Sequence, residues 1–227
     1  MDRLEFLVEE RSMAEVLKVL LPRILPASWV LDENYFIRPH EGKSDLKRSI
    51  PKKLKGFAQH KEQTTGFIII QDQDSNDCRQ LKQELVALCK ANQAPNIKFL
   101  VRIVCHELEA WYLGDMKAIQ AVFPRFNPAR HLKKSLFRLP DTCQNPKTRL
   151  KDIVGDYQQI ATAQMIAPYI DIEHNRSESF RQFVSGIRKF ITAKRYFFAN
   201  RCRSAGSSAM RLSSRFMICV TSSLICV

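Results

Sequence analysis

The sequence predicts an α/β fold in which helices flank a mostly parallel sheet, with a helical addition at the C-terminus. Two observations indicate this fold. Short apolar runs of strand length alternate with stretches of helical periodicity from the start of the chain through residue 122. The run at residues 97–104 is apolar almost throughout, as expected of a parallel strand that is buried on both faces.

The first two strands are each followed by a helical pattern. Residues 4–8 form the first strand, and in the helix after it we expect Ser12 as the N-cap, with Glu15 completing a capping box. Residues 35–38 form the second strand. The helix that follows is basic, and we expect Pro51 to restart it, because proline is tolerated in the first turn of a helix.

The second pair of strands carries the clearest signals. Residues 67–71 are a strand that ends in Asp72-Gln73-Asp74, and a helix over about 77–91 follows it, with Ser75 or Asn76 as the cap. Residues 97–104 form the fourth strand. Asp115 then has the position of an N-cap for the next helix.

We expect three parts along the chain of 227 residues. Residues 1–122 form the α/β core, and residues 123–193 are a basic loop or lid with C-terminal helices that complete the same domain. Residues 194–227 contain six basic residues and no acid, have little regular period, and are expected to be a disordered or read-through tail.

Charge and cysteine content restrict the class of protein. The net charge of +13 favours a polyanionic partner, and nucleic acid is the one we expect. The seven cysteines are odd in number, form no C-x-x-C pair, and favour reduced thiols in the cytoplasm. Apolar runs such as residues 67–70 are too short to cross a bilayer, so we expect no membrane partner. The oligomeric state stays open.

Acidic residues follow three of the predicted strands. Glu9, Asp72 and Glu107 each stand at a strand end, and ligands bind beyond the carboxyl ends of parallel strands. Residues two apart on an extended segment point to one side, so Asp72 with Asp74, and Glu107 with Glu109, can each face a single cation. Carboxylate oxygens favour Mg²⁺ or Mn²⁺, and these five residues are the candidate metal ligands.

A strand ending in Glu9, a following helix and a later strand ending in Asp72-Gln73-Asp74 resemble the Toprim domain of topoisomerases, primases and overcoming-lysogenization-defect nucleases. Residues 3–192 are similar, more closely, to an uncharacterised bacterial Toprim-like family, the domain-of-unknown-function family 4276. The motifs that carry this similarity are Leu7-Val8-Glu9-Glu10 and residues 40–46, 72–75, 107–115 and 175–186. The resemblance implies a Toprim-like, Rossmann-like sheet, Asp72 and Asp74 as catalytic Mg²⁺ ligands, and Glu9 as the catalytic acid that handles protons or a second metal.

Basic residues near these acids are candidates for contacts with phosphate. Lys43, Lys47, Arg48, Lys52 and Lys53 lie on the basic helix and can line a path for a nucleic-acid backbone. The alternative is an ordinary solvated helix face. Arg176 stands where a late helix begins and can hold a phosphate, while Ser177 beside it is expected to cap that helix.

Three functions remain open. The leading hypothesis is a Mg²⁺-dependent Toprim-type nuclease or related phosphodiester enzyme, and similarity to Toprim nucleases suggests a bacterial role in defence against phage or mobile DNA. The second is a non-catalytic, metal-containing module that binds nucleic acid or regulates a partner ATPase. The third is a Toprim enzyme acting on a small phosphorylated molecule. DNA against RNA, and one metal ion against two, stay undecided.

Overall fold

A four-stranded, all-parallel sheet forms the centre of the computed structural model, which describes residues 1–131 and 133–192. The strands are β1 (Arg3–Val8), β2 (Tyr35–Pro39), β3 (Thr65–Asp72) and β4 (Ile97–Val104), in the spatial order β2-β1-β3-β4. Helices flank the sheet and a long helix ends the described part of the chain, so the predicted fold class is confirmed. The predicted tail, residues 194–227, lies outside the described residues.

The helices connect the strands and then continue beyond the sheet. Their bounds are α1 (Arg11–Ile24), α2 (Lys43–Ala58), α3 (Cys78–Lys90), α4 (Glu109–Leu113), α5 (Met116–Val122), α6 (Pro128–His131), α7 (Ser135–Arg138), α8 (Pro146–Val154), α9 (Gln159–Ile166) and α10 (Glu178–Thr192). Two 3₁₀ turns, Pro140–Thr142 and Ala167–Tyr169, lie between them. Of the helices that the structure describes, none is long and apolar enough to cross a membrane.

Alternation along β1 and β3 divides the apolar residues between two cores. Phe6 and Ile70 belong to the core under α1, which α9, α10 and residues from 123 onward also line. Leu7 and Ile69 belong to the core under α2 and α3 on the opposite face. Neighbouring strand residues point to opposite faces, so each strand contributes to both cores.

Helix starts differ from the predictions at two places. α1 begins at Arg11, directly after Glu10, so the prediction of Ser12 as its N-cap is wrong: Ser12 lies inside the first turn and its Oγ donates to Glu10 Oε2 at 3.4 Å. The cap of α3 is Asp77, whose carboxylate accepts from Gln80 N–H at 2.7 Å, instead of Ser75 or Asn76. Boundary residues decide helix caps, and neighbouring polar residues compete for them.

Pro51 does not restart the second helix. α2 runs without a break from Lys43 to Ala58, with Pro51 in its interior. The buried side chains Ile50 and Leu54 on either side of the proline pack against the sheet, and this burial outweighs the one backbone hydrogen bond that proline removes. The caps at Asp115 and Ser177 are confirmed, because their side chains accept from Ala118 N–H and Phe180 N–H, each at 3.1 Å.

Candidate functional site

The sheet has a topological switch between β1 and β3. From β1 the chain turns into α1 on one face, whereas from β3 it turns into α3 on the other face. Ligands of open α/β sheets bind in the crevice outside the carboxyl ends of two such strands. Glu9 immediately follows β1 and Asp72 is the last residue of β3, so both carboxylates lie at this crevice.

Glu9 and Asp72 are held next to each other by backbone hydrogen bonds. The Asp72 N–H donates to Glu9 Oε2 at 3.2 Å, and the Leu108 N–H donates to Asp72 Oδ2 at 3.3 Å. Both residues line a narrow cleft with Glu10, Ser12, Met13, Ile70 and Leu108. The cleft is narrow where the two carboxylates meet.

The ionised forms of Glu9 and Asp72 are disfavoured, because both groups lie close to other acids and away from bulk water. Burial, followed by the charge of Asp74, raises the pKa of Glu9 to about 7. Burial, followed by the charges of Glu109 and Glu9, holds the pKa of Asp72 well above its ordinary value. A proton or a cation is therefore required to neutralise this cleft.

The loop after β2 fixes the backbone at Glu9. His40 donates from its backbone N–H at 3.0 Å and from Nδ1 at 2.9 Å to the carbonyl of Val8, and its Nε2 lies 2.6 Å from Ser49 Oγ. The Gly42 N–H donates to the Glu9 carbonyl at 3.0 Å, with a left-handed φ of 87° that glycine adopts without strain. The two peptide groups that flank Glu9 are thus both anchored to this loop.

Asp74 leaves the extended geometry that the sequence predicted for it. The strand ends at Asp72, and Asp74 has a left-handed φ of 52° while its N–H donates to the His106 carbonyl at 2.8 Å. Its Oδ2 pairs with Lys43 Nζ at 3.3 Å. Asp74 remains near enough for its charge to raise the pKa of Glu9, and the opposite charge of Lys43 lowers that pKa by less.

The side chains of Glu107 and Glu109 have different partners and do not face one site. Glu107 Oε2 accepts from the Lys147 N–H at 3.0 Å, at the start of α8. Glu109 is buried beside Asp72, its Oε1 accepts from the Tyr157 hydroxyl, and burial, followed by the charge of Glu107, raises its pKa. The charge of Glu109 therefore acts on Asp72, whereas Glu107 caps a helix.

Three side chains that we did not predict reach this edge from α8, α9 and the segment between them. Tyr157 contacts Glu109, and the Gln159 amide donates to the Glu10 carboxylate and, at 3.2 Å, to Ser12 Oγ. Lys147 Nζ donates to Gln159 Oε1 at 2.8 Å. These contacts join residues up to 149 positions apart, so no local pattern could reveal them.

The carboxylate oxygens of the cleft suit a divalent cation that keeps most of its water ligands. Within residues 1–131 and 133–192, no three His, Cys, Asp or Glu side chains are arranged as a ready set of metal ligands. Mg²⁺, however, is commonly held by one or two carboxylates together with water and substrate oxygens. Glu9 and Asp72 supply two such carboxylates in a cleft that needs positive charge.

The predicted basic path on α2 is largely paired with acids. Lys43 contacts Asp74, Lys47 Nζ lies 3.3 Å from Glu84, and Arg48 lies 3.7 Å from Asp45. Lys52 is exposed and Lys53 half-buried on the same helix.

Arg176 lies apart from the basic helix and is exposed near α7. Its backbone N–H donates to the Gly114 carbonyl at 3.0 Å, and its Nη1 donates to the Phe137 carbonyl at 3.4 Å. The contacts seen at Arg176 are therefore with backbone carbonyls of this chain.

Comparison with known proteins gives a family and one distant structural likeness. The C-terminal region of the Xanthomonas campestris pv. campestris OLD protein is similar to 86% of this chain and 98% of its own, with 14% identity and a TM-score of 0.44. A search of curated proteins found no match. The family model described as "Domain of unknown function (DUF4276)" matches residues 8–188, and the chain belongs to that family.

Proposed function

We propose that the protein is a Toprim-type, Mg²⁺- or Mn²⁺-dependent phosphodiester hydrolase that cleaves nucleic acid. One observation carries this proposal: the carboxylates of Glu9 and Asp72 are held together at the topological switch of a parallel sheet, in a cleft that requires a proton or a cation. Perturbed carboxylates at such a crevice are characteristic of catalytic sites.

Each acid has a separate role in this proposal. Asp72 and Asp74 hold the cation, and Glu109 completes the negative surface around Asp72. A divalent ion bound there polarises a phosphate and stabilises the charge that develops on its oxygens. Glu9, which directly follows β1 and lies beside Asp72, accepts a proton from an attacking water.

The substrate follows from charge and resemblance. A net charge of +13 supports a polyanionic substrate, and the Toprim resemblance supports a role in bacterial defence against phage or mobile DNA.

Cleavage assays test the proposal. Purified protein and the Asp72→Asn variant are incubated with labelled single- and double-stranded DNA and RNA in Mg²⁺, Mn²⁺ or EDTA. We expect cleavage that requires the metal and is lost in the variant while its thermal unfolding stays cooperative. Cleavage that persists in EDTA, or in Asp72→Asn, would contradict the proposal.

A small phosphorylated substrate is the second candidate, because the cleft is narrow and Tyr157 and Gln159 contact acids beside it. Three of the predicted phosphate-binding residues of α2 are also paired with acids. Metal-dependent hydrolysis of a nucleotide or sugar phosphate, without cleavage of any polymer, would favour this candidate.

A non-catalytic module is the third candidate. In that case the acids hold a structural ion, and the protein binds nucleic acid or regulates a partner ATPase. Binding without cleavage, together with loss of stability in Asp72→Ala, would favour it.

A further inference from the structure

The basic segment, residues 116–140, carries positive charge without any acid. It starts with α5 and runs to the 3₁₀ turn that begins at Pro140, and it contains no Asp and no Glu. Its six basic residues are all exposed: Lys117, Arg125, Arg130, Lys133, Lys134 and Arg138. The segment therefore presents a large positive charge to solvent.

These six cations form no ion pair within residues 1–131 and 133–192. The acids at the two ends of the segment are engaged elsewhere. Asp115 accepts from the Ala118 N–H at 3.1 Å. Asp141 accepts from the Ser179 N–H at 2.7 Å. On α2, in contrast, three of the cations contact acids. Because like charges repel one another, the unpaired cations of the basic segment favour an anionic partner.

Three aromatic rings hold the turns of the basic segment together. The rings of Phe126 and His131 stack with their centroids 4.9 Å apart, and the ring of Phe137 lies 5.6 Å from that of Phe126 and 5.3 Å from that of His131. Each ring has an exposed arginine next to it in the sequence. Cations from separate turns are therefore gathered around one packed cluster.

A seventh cation, Arg176, is attached to the basic segment. Its Nη1 donates to the Phe137 carbonyl at 3.4 Å, and its backbone N–H donates to the Gly114 carbonyl at 3.0 Å. The side chain is exposed, and its guanidinium makes no other hydrogen bond to the described residues. Its remaining donors are available to a phosphate group.

The basic segment borders the edge of the sheet that carries the cleft. It starts directly after α4, which follows the carboxyl end of β4. Beyond its other end, the Lys147 N–H donates to Glu107 Oε2 at 3.0 Å. The residue after Glu107 is Leu108, whose N–H donates to Asp72 Oδ2 at 3.3 Å. Both ends of the segment are thus fixed at the turn that contacts Asp72.

We propose that the basic segment and Arg176 bind the phosphate backbone of the nucleic acid that is cleaved at the Glu9–Asp72 cleft. The choice of this polymer rests on the proposed function. Clustered cations on one surface are characteristic of proteins that bind a nucleic-acid backbone, because each contact with a phosphate releases a counter-ion. The position of the segment places such a backbone beside the acids of the cleft.

An anionic membrane surface fits this segment less well. Helices that bind a membrane surface present an apolar face to the lipid. Here the aromatic rings pack on one another, and Leu139 is the only large apolar side chain that is exposed among the described residues of the segment.

Binding measurements in EDTA test this inference separately from catalysis. The probes are a fluorescein-labelled 20-nucleotide single strand and its duplex, followed by anisotropy from 50 to 200 mM KCl. Arg130→Gln, Lys133→Gln and Lys134→Gln combined should weaken binding roughly 10-fold or more at the lowest salt and reduce the slope of log K against log salt by about 2 to 3. Arg130→Lys, Lys133→Arg and Lys134→Arg combined keep the charge and should bind as the wild type does.

The matched control removes three charges from the opposite edge of the sheet. Lys55, Lys61 and Lys90 are exposed and lie near the ends of α2 and α3, before β3 and β4 begin. Lys55→Gln, Lys61→Gln and Lys90→Gln combined should change the affinity by less than about 2-fold, because salt screens charges that are distant from the bound strand.

Wild-type affinity and slope in the triple variant of the basic segment would overturn the inference, as would an equal loss in the control. Loss of binding to anionic phospholipid vesicles, with DNA binding unchanged, would also overturn it. DNA binding that depends on the segment, in a protein that cleaves nothing, would support the inference while the proposed catalysis fails. Metal-dependent cleavage with no effect of the triple variant on DNA binding would do the reverse.

Discussion

Two pairs of acids at the same edge of the sheet behave differently. Glu9 and Asp72 stand at the ends of adjacent strands and form no ion pair within residues 1–131 and 133–192, whereas Asp74 pairs with Lys43 and Glu107 caps α8. Strand pairing fixes where the first two acids lie, because register leaves little freedom at a strand end. The loop acids are instead directed by whichever tertiary partner is near.

The largest expected effect is on cleavage, and it should differ between an acid at a strand end and an acid in a loop. Asp72→Asn should lower metal-dependent cleavage by roughly 100-fold or more, because it removes a central charge from the cation site. Asp74→Asn should lower cleavage by about 10-fold, since Asp74 lies beyond the strand end and pairs with Lys43. Single-turnover rates at saturating Mg²⁺ measure both, and equal losses would remove the distinction.

The second expected effect is a dependence of the protein's stability on pH. The carboxyl groups of Glu9, Asp72 and Glu109 have raised pKa values. Between the unfolded and the folded pKa, the folded state therefore binds more protons than the unfolded state. Their contribution to stability is present at low pH and is lost as pH rises from about 4.5 through about 7. In EDTA, the melting temperature should fall by roughly 5 to 10 °C between pH 5 and pH 8.

Two comparisons sharpen that pH prediction. Saturating Mg²⁺ should restore most of the stability at pH 8, because a bound cation replaces the protons. Glu9→Gln should flatten the pH dependence, since the amide does not ionise. A melting temperature that rises with pH in EDTA would contradict the prediction, and differential scanning fluorimetry across the pH series measures it.

A smaller effect is expected at Tyr157. Its hydroxyl is the donor to the buried Glu109 carboxylate, so Tyr157→Phe leaves that oxygen without a partner. We expect a loss of about 1 to 3 kcal/mol in the free energy of unfolding, measured by urea denaturation at pH 7.5. An unchanged urea midpoint would mean that this hydrogen bond contributes nothing to stability.

The smallest effect is expected at Glu107. Its carboxylate accepts from the N-terminal turn of α8, so Glu107→Ala should cost about 1 kcal/mol of stability. Cleavage should change by less than about 3-fold, because the side chain is engaged by a helix outside the cleft. A loss of activity as large as that of Asp72→Asn would place Glu107 among the groups that hold the cation.

The positions of Glu9 and Asp72 could be predicted from the sequence. Alternating apolar runs predict the strands, and a parallel sheet then brings Glu9 and Asp72 together at one edge. The positions of these two acids were accessible to sequence reasoning because they depend on local periodicity and sheet order alone.

The remaining features depend on distant contacts. The left-handed backbone at Asp74, its pairing with Lys43, and the approach of Tyr157 and Gln159 are determined by tertiary packing. The uninterrupted α2 across Pro51 has the same origin, since burial of its apolar face outweighs the local preference of proline. Local signals are weakest where packing decides the outcome.

Isothermal titration of the apo protein with Mn²⁺ at pH 7.5 tests the central claim most directly, namely that the Glu9–Asp72 cleft is a cation site. We predict saturable binding by the wild type, loss of that binding in Asp72→Asn, and weakened binding in Asp74→Asn, with all three proteins folded by circular dichroism. No Mn²⁺ binding by the wild type, or undiminished binding by Asp72→Asn, would contradict the account.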